Sequence, residues 1–367
     1  MSTIMTASQQ WLRRPADQRF TSLLDMQAFC DSQRDRSNGR VVSSRKLEVV
    51  PDAGSANGLL VAGPDGNGAS TTNWSFGQLA SRVKAPADYL RTLPSALVAD
   101  NLNYGLRFNR DAEDIGVLLT QTGEQQAPIQ LRAVTGPNYG RIWDADIVRA
   151  LVDRFGDGVT GQFKVPGEFG KDVAVTKENT TLYASDRDMF VFLADEKNRI
   201  EVPNRRNGET GSLARGFFVW NSEVGKTSYG LAMFLFDYAC SNRIVWGATE
   251  FQEIRGAHTS SAPDKWIERV EPAILAYANA SATPVMAAIE AAQKKRVDDI
   301  DTFLKNRRFN NAQIVNIKAA HLADEGRPME TLWDITTGIT AMARNLPHQD
   351  SRIEWEREAG EIMDLAA

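Results

Sequence analysis

Thiol and imidazole chemistry is scarce in this chain: 367 residues carry two cysteines, Cys30 and Cys240, and three histidines, His258, His321 and His348. Two cysteines cannot make a disulfide framework, and neither lies in a C-x-x-C. The histidines lack the close spacing of a zinc helix such as H-E-x-x-H, so no metal centre and no cofactor is expected. Long apolar runs are missing too. The longest, residues 231–236, is far below the roughly 18 residues a spanning helix needs, and no membrane span is expected. The first twenty residues have no apolar stretch ahead of their arginines, so a secretory signal is not expected and a reducing, cytoplasmic setting is. What remains is an ordinary globular composition, 42% hydrophobic and 24% charged, long enough for two or three domains around a sizeable core.

The net charge of −5 is unevenly spread. Residues 322–367 hold 10 carboxylates against 4 arginines, which leaves the rest close to neutral. Three stretches lean basic, 34–46, 197–215 and 294–308, and arginine outnumbers lysine 30 to 12. Arginine's planar fork suits phosphate and stacks on bases, but a globally acidic chain grips a polyanion only if its cations gather on one face.

Periodicity predicts an α+β fold, with a central antiparallel or mixed sheet, flanking helices and a mostly helical C-terminal region. Three regions follow: an N-terminal α/β segment with a helical hairpin over 1–100, a β-rich core over 101–263, and a helical region over 264–367. In the first, a helix is expected over 20–30, a loop at Ser37-Asn38-Gly39, strands over 47–50 and 58–61, and a hairpin loop at 64–68. A helix over 73–83 and a second one stopped by Pro94 look superficially like helix-turn-helix; the second is too short to read DNA, and a packed helical hairpin is expected instead. In the core, strands are expected over 106–109, 116–121, 129–135, 181–184, 189–193, 199–202 and 215–220, with a helix over 144–155. Asn207-Gly208 marks a hairpin whose flanks carry Arg205, Arg206 and Arg215. Beyond 264, Pro272 opens a helix, Pro284 breaks one, and Val297, Ile300 and Leu304 form an apolar stripe.

Motifs for chemistry are weak. Val224-Gly225-Lys226-Thr227 invites a phosphate-loop reading, but the required upstream glycine is Trp220. Asp195-Glu196-Lys197 matches half of a magnesium nuclease site, with Asp186 or Asp188 as upstream ligand, a pattern this composition produces by chance. Asp144 and Asp146 read as helix-start acids. A polar constellation stands out more: Asn221, Ser222 and Glu223 directly after an apolar strand, followed by Asn242, Arg255 and His258.

These residues carry a resemblance. Ala85-Pro86-Ala87-Asp88-Tyr89-Leu90 with Leu93-Pro94, then Leu182-Tyr183-Ala184-Ser185-Asp186-Arg187-Asp188-Met189-Phe190, resemble the phage/plasmid-like protein family. The series continues through Gly216, Asn221-Ser222-Glu223-Val224-Gly225, Cys240 with Asn242, Arg255 with His258, and Thr331-Leu332-Trp333-Asp334, spanning about residues 75 to 345. Family members usually carry an Asn in the helix after that Trp, where this chain has Thr336-Thr337-Gly338. The resemblance implies a mobile-element origin and a neighbourhood of recombination and replication genes; it implies no activity, fold or catalytic residue.

The expectation is therefore a non-enzymatic nucleic-acid-binding accessory of phage or plasmid DNA metabolism, a single-strand binder or annealer acting as a homo-oligomer in the cytoplasm of a bacterial host. Arg205, Arg206, Arg215, Lys226 and Arg243 would contact phosphate, and Trp220 and Trp246 would stack on bases. Two alternatives stand beside it. One is a scaffold that binds a host or phage protein through the acidic C-terminal helices. The other is an enzyme, using magnesium at Asp186, Asp188 and Asp195 with Lys197, or a site around Glu223, Arg255 and His258.

Overall fold

The computed structural model describes residues 14–366 except Ala56, Asp65, 109–113, 124–127, 167–173, Glu196, 206–207, 238–242, 245–253 and 344–348; at 234, 236, 237, 243, 244, 349–354, 356 and 357 only the backbone is described. The expected α+β architecture is present as two sheets with helices packed on them.

Sheet 1 has nine strands. Its spine runs β1 (Arg19–Phe20), β9 (Leu182–Ala184), β10 (Met189–Asp195), β12 (Gly211–Asn221), β13 (Tyr229–Asp237), β14 (Arg243–Ile244). Three short strands join it from the side: β8 (Phe163–Lys164) on β10, β11 (Ile200–Val202) on β12 and β15 (Ile254–Gly256) on β13. All pairings are antiparallel. Every residue of β10 is buried, so both faces are covered. Met189, Val191 and Leu193 point into the main core with Phe217 and Val219 of β12. Tyr183, Phe190, Phe218 and Phe192 form an aromatic ladder, with centroids 5.2–5.8 Å apart. Strands buried on two faces read as unbroken apolar runs, and hence residues 229–237 carry a hydrophobic stretch without alternation.

Sheet 2 has six strands in the order β2 (Ser37–Ser43), β6 (Asp114–Gln121), β7 (Ile129–Thr135), β5 (Gly68–Thr71), β4 (Leu59–Ala62), β3 (Glu48–Pro51). Only β5 and β7 run parallel. The sheet draws strands from both sides of residue 100. Its core packs under α2 (Asn73–Arg82) and α4 (Ser95–Phe108), with the short α3 (Ala87–Leu90) between them. α1 (Leu23–Asp35) and α5 (Asp144–Phe155) pack on sheet 1 instead.

Several local expectations need correction. Ser37-Asn38-Gly39 is no loop but the start of edge strand β2, paired residue by residue with β6. The strand expected over 106–109 is absent from its described part: residues 106–108 belong to α4, where Val98, Ala99, Leu102 and Leu106 bury a helical stripe against sheet 2, and Asn109 lies outside the described residues. Pro94 opens α4, its carbonyl accepting from Val98 N, whereas the short α3 has already ended at Leu90. Val297 lies outside α8 (Ile300–Asn306), in a segment whose backbone N–H donates to Glu330 O.

The C-terminal helices are α6 (Glu271–Asn279), entered through a π-helical turn at Trp266–Val270, α7 (Thr283–Lys294), α8, α9 (Asn311–Glu325), α10 (Leu332–Ala343) and α11 (Gln349–Asp364). Pro272 and Pro284 both sit in first turns, where a missing N–H costs nothing. Among the described residues no single helix is long and apolar enough to cross a membrane; the bent pair that includes α6 and α7 turns Ile274, Tyr277, Val285 and Ile289 into the core.

A buried polar seam fastens these helices to sheet 1. Arg205 lies 2.5 Å from Glu325 of α9 and over the ring of Trp333, and is only 1% exposed. His321 reaches Thr337 Oγ1 at 3.2 Å, and burial pushes its pKa down to about 4. Arg327, 2.6 Å from Asp334, completes the seam.

Removing one partner of a buried pair strands the other, so Arg205→Ala should cost about 3–5 kcal/mol in urea unfolding; a reduction within the range of a surface pair would overturn this placement. His321 adds an acid-labile part. Its folded pKa of about 4 lies below the free value of 6.5, so its contribution is complete above pH 6.5 and lost as pH falls toward 4. His321→Asn should flatten the stability–pH curve there by about 3 kcal/mol. An unchanged acid limb would refute it.

Candidate functional site: a basic cleft at the joint of the two sheets

The hairpin β12–β13 ends in the turn Asn221-Ser222-Glu223-Val224-Gly225-Lys226, which plugs into sheet 2. Val224 packs with Leu118 and Ala133 of sheet 2, flanked by Trp74 and Trp143. Its carbonyl accepts from Trp74 Nε1 at 3.1 Å and Gln78 Nε2 at 2.7 Å, both on α2. Gly225 adopts φ of +78°, the left-handed conformation that suits glycine. Ser222 Oγ accepts from the N–H groups of Val224 and Lys226 and donates to Arg187 O at 2.6 Å. The hydroxyl is thus fully engaged in shaping the turn.

Glu223 is the centre of this joint and is 1% exposed. Its Oε2 lies 2.7 Å from NH1 of Arg132 on β7, its Oε1 accepts from the backbone N–H of Asp144 at the start of α5, and its carbonyl accepts from Arg141. One carboxylate therefore ties hairpin, sheet 2 and helix together. Arg132 also donates Nε to Asp186 O at 2.7 Å and, with the Gln33 amide turned so that its oxygen faces the guanidinium, NH2 to Gln33 at 2.7 Å. Asn221 Nδ2 donates to Asp144 Oδ1 at 2.7 Å and to Ile142 O at 2.8 Å.

Asp144 is fully buried. Burial, then the charge of Glu223, pushes its pKa well above the carboxylate range, against the opposing pull of Asn221 and Arg132. Asp144 Oδ2 and Asn221 Oδ1 are both buried without a hydrogen-bond partner among the described residues. Cys30 nearby has its thiol raised by burial and by both acids, so it is an inert core residue.

Beside the turn opens a cleft of about 750 Å³. One wall is the exposed face of α2 from Trp74 to Arg82, a helix about 15 Å long. The floor is the end of β7 through Gly136, with Gly225 and Tyr139. Among the described residues four cations line it, Arg82, Lys84, Arg91 and Arg187, and no carboxylate does. Arg91 is held by Asp88 at 2.9 Å and by Asn73, and Arg187 is 3.7 Å from Asp186, so an exposed acid adjoins two of the four from outside the cleft lining. Tyr139 is fixed by donation to Ser222 O at 2.7 Å and by stacking on His258 at 4.8 Å. His258 in turn donates from Nδ1 to Gly140 O, and burial lowers its pKa to about 4, so it is neutral at pH 7.

The sequence-derived candidates divide accordingly. Asn221, Ser222 and Glu223 do converge, as structural members of the joint, with His258 reaching them through Tyr139. Arg255 is elsewhere, on β15 against Ser228, and Asn242 lies outside the described residues. The expected phosphate contacts need correction. Arg205 and Arg215 are 1% and 4% exposed, Arg215 reaching Asp195 at 3.3 Å and the carbonyls of Tyr277 and Ala280; neither presents a guanidinium to solvent. Trp220 is likewise buried against sheet 1. Lys226 sits at the joint 2.9 Å from Asp188. Arg206, Trp246, Cys240 and His348 lie outside the described residues, as does the side chain of Arg243.

The three acids considered for magnesium are not brought together. Asp188 and Asp195 cap opposite ends of β10, about 20 Å apart. Asp188 binds Arg14, Lys226 and Ser185; although burial works against it, the two cations hold its pKa below the usual range. Asp195 accepts from Gln162, Asn198 and Arg215. Among the described residues no group of three or more His, Cys, Asp or Glu is placed to hold a metal ion.

Sequence reasoning missed Arg132 and Arg141. The signal for Arg132 was present: a lone charge inside the apolar strand 129–135. The cleft cations carried no such mark, being scattered over residues 82–187.

Because the folded chain keeps the Asp144 proton to higher pH than the unfolded chain, stability falls as pH rises above the free carboxylate value of about 3.9. Asp144→Asn removes that penalty, so the variant's stability relative to the parent should increase with pH until the buried acid has titrated. Urea melts over the range would read this, and parallel curves would show that Asp144 is charged. Comparison with protein-family models, with curated proteins and with solved structures returns no match.

Proposed function

We propose that this chain binds single-stranded nucleic acid in the cleft at the sheet joint, as a non-catalytic accessory of mobile-element DNA metabolism. One observation carries the reading: a cleft lined by four cations and no carboxylate, on a chain whose net charge is negative. Cations gathered in one concave surface focus positive potential where a ligand can reach it. Trp74 and Tyr139 add aromatic surface with tethered polar ends, suited to stacking on an unpaired base. The resemblance of residues 75–345 to the phage/plasmid-like family supplies the setting, the cytoplasm of a bacterial host.

Fluorescence anisotropy of a labelled oligothymidylate and of a duplex, titrated across salt with and without magnesium, tests this. Salt-dependent binding favouring the single strand, without cleavage on a following gel, is expected. Arg82→Ala combined with Lys84→Ala and Arg187→Ala should lower the slope of log K against log salt by about 0.7 for each phosphate no longer neutralised, roughly two in all. Arg296→Ala, paired with Glu330 in the C-terminal region and outside the cleft lining, should leave that slope unchanged. No binding near physiological salt, or binding that ignores the triple substitution, would overturn the reading and favour a protein-binding scaffold.

A further inference from the structure

Among the described residues nothing covers the outer face of helix α4, and its rotation is fixed from below. Val98, Ala99, Leu102 and Leu106 enter the core of sheet 2. Asn103 clamps the edge strand β3, accepting from Val49 N and donating to Val49 O, each at 2.8 Å. Gly105 lies so close to Val83 that a Cβ there would fall 2.3 Å from it. The opposite face has nowhere to turn. It carries Leu97, Tyr104 and Phe108, 49%, 68% and 66% exposed, with the Tyr104 and Phe108 rings 4.9 Å apart. With Asn101 these residues follow i, i+4, i+7, i+11, a single stripe along about 16 Å of helix.

The charges beside the stripe say what fits it. Asp100 and Arg107 are exposed on the same flank, one on each side of Asn103, and among the described residues neither has an ion-pair partner. A two-fold axis lying outside the stripe at the level of Asn103 and Tyr104, perpendicular to the helix, keeps each flank on its own side and reverses chain direction. It brings Asp100 of each copy to Arg107 of the other, sets Phe108 between Leu97 and Asn101 across the interface, and brings the two Tyr104 rings together near the axis. The edge of β3, which would otherwise invite strand addition, is already occupied by Asn103.

From this self-complementarity we infer that α4 is a dimerisation helix, whose partner is a second copy of this chain packed antiparallel across a two-fold axis. The inference is independent of the cleft: it concerns different residues and a different readout.

Sedimentation velocity over a roughly hundredfold range of concentration should show a monomer–dimer equilibrium. Asp100→Arg opposes like charges twice and should weaken association at least about tenfold, as should Arg107→Asp; the double charge reversal restores both pairs and should recover it. Tyr104→Ala with Phe108→Ala should leave a monomer, with circular dichroism unchanged because both side chains are exposed. A chain that is monomeric throughout would refute the proposal. So would a dimer indifferent to charge reversal, which would place the interface elsewhere, and so would a double reversal that fails to recover association.

Discussion

The buried pair of Glu223 and Arg132 sets the terms for the rest of the molecule. Two sheets with separate cores must be held at a fixed offset, and apolar contact supplies little at the joint: Val224, Leu118 and Ala133 form a cluster of three buried residues. Polar groups supply the registry instead. A buried ion pair contributes little net stability once desolvation is counted, but it penalises every arrangement that leaves one charge alone. Glu223 raises that penalty by also holding the first N–H of α5 and the Arg141 side chain, so a shift of any one element strands several groups. Asp144 belongs to the same logic: burial, and then the charge of Glu223 beside it, raises its pKa, so a second negative charge at this helix start is disfavoured.

The cleft is a product of this joint. A hairpin tip driven into a second sheet leaves a groove where the tip stops, between α2 and the end of β7. Its walls are polar because both elements commit their apolar faces to their own cores: α2 turns Phe76, Leu79 and Ala80 inward and is left with Trp74, Gln78 and Arg82 outside.

How much of this was legible in the sequence follows from the range of each interaction. α5 and β7 were readable to the residue, because a helical stripe and a β-branched alternation are local signals. The turn 221–226 was recognisable as unusual, since three polar residues after a long apolar strand demand partners. What it pairs with was not readable, because Arg132, Asp144 and Gln33 come from three distant segments. The arginines fared worst for a related reason. Arg205 and Arg215 stand in a basic run and beside a hairpin signal, which suggests solvent, yet Glu325 and Asp195 reach them across 120 and 20 residues and bury them. Charge density along a chain does not reveal which charges are neutralised internally. The α4 reading failed differently: Leu106 and Phe108 suit a strand locally, and the stripe from Val98 through Leu106 decided for helix.

Gln78 shows a further consequence of the shared cleft wall. Its amide donates to Val224 O in the hairpin of sheet 1 and accepts from Val134 N in sheet 2, so one side chain at the cleft surface spans both sheets. On the reading proposed above, an anion held between Arg187 and Arg82 would be gripped only while the two sheets are docked. Occupancy and docking would then be linked functions: whatever filled the cleft would act as an added fastener, and the separation of the sheets would become a transition that ligand concentration postpones.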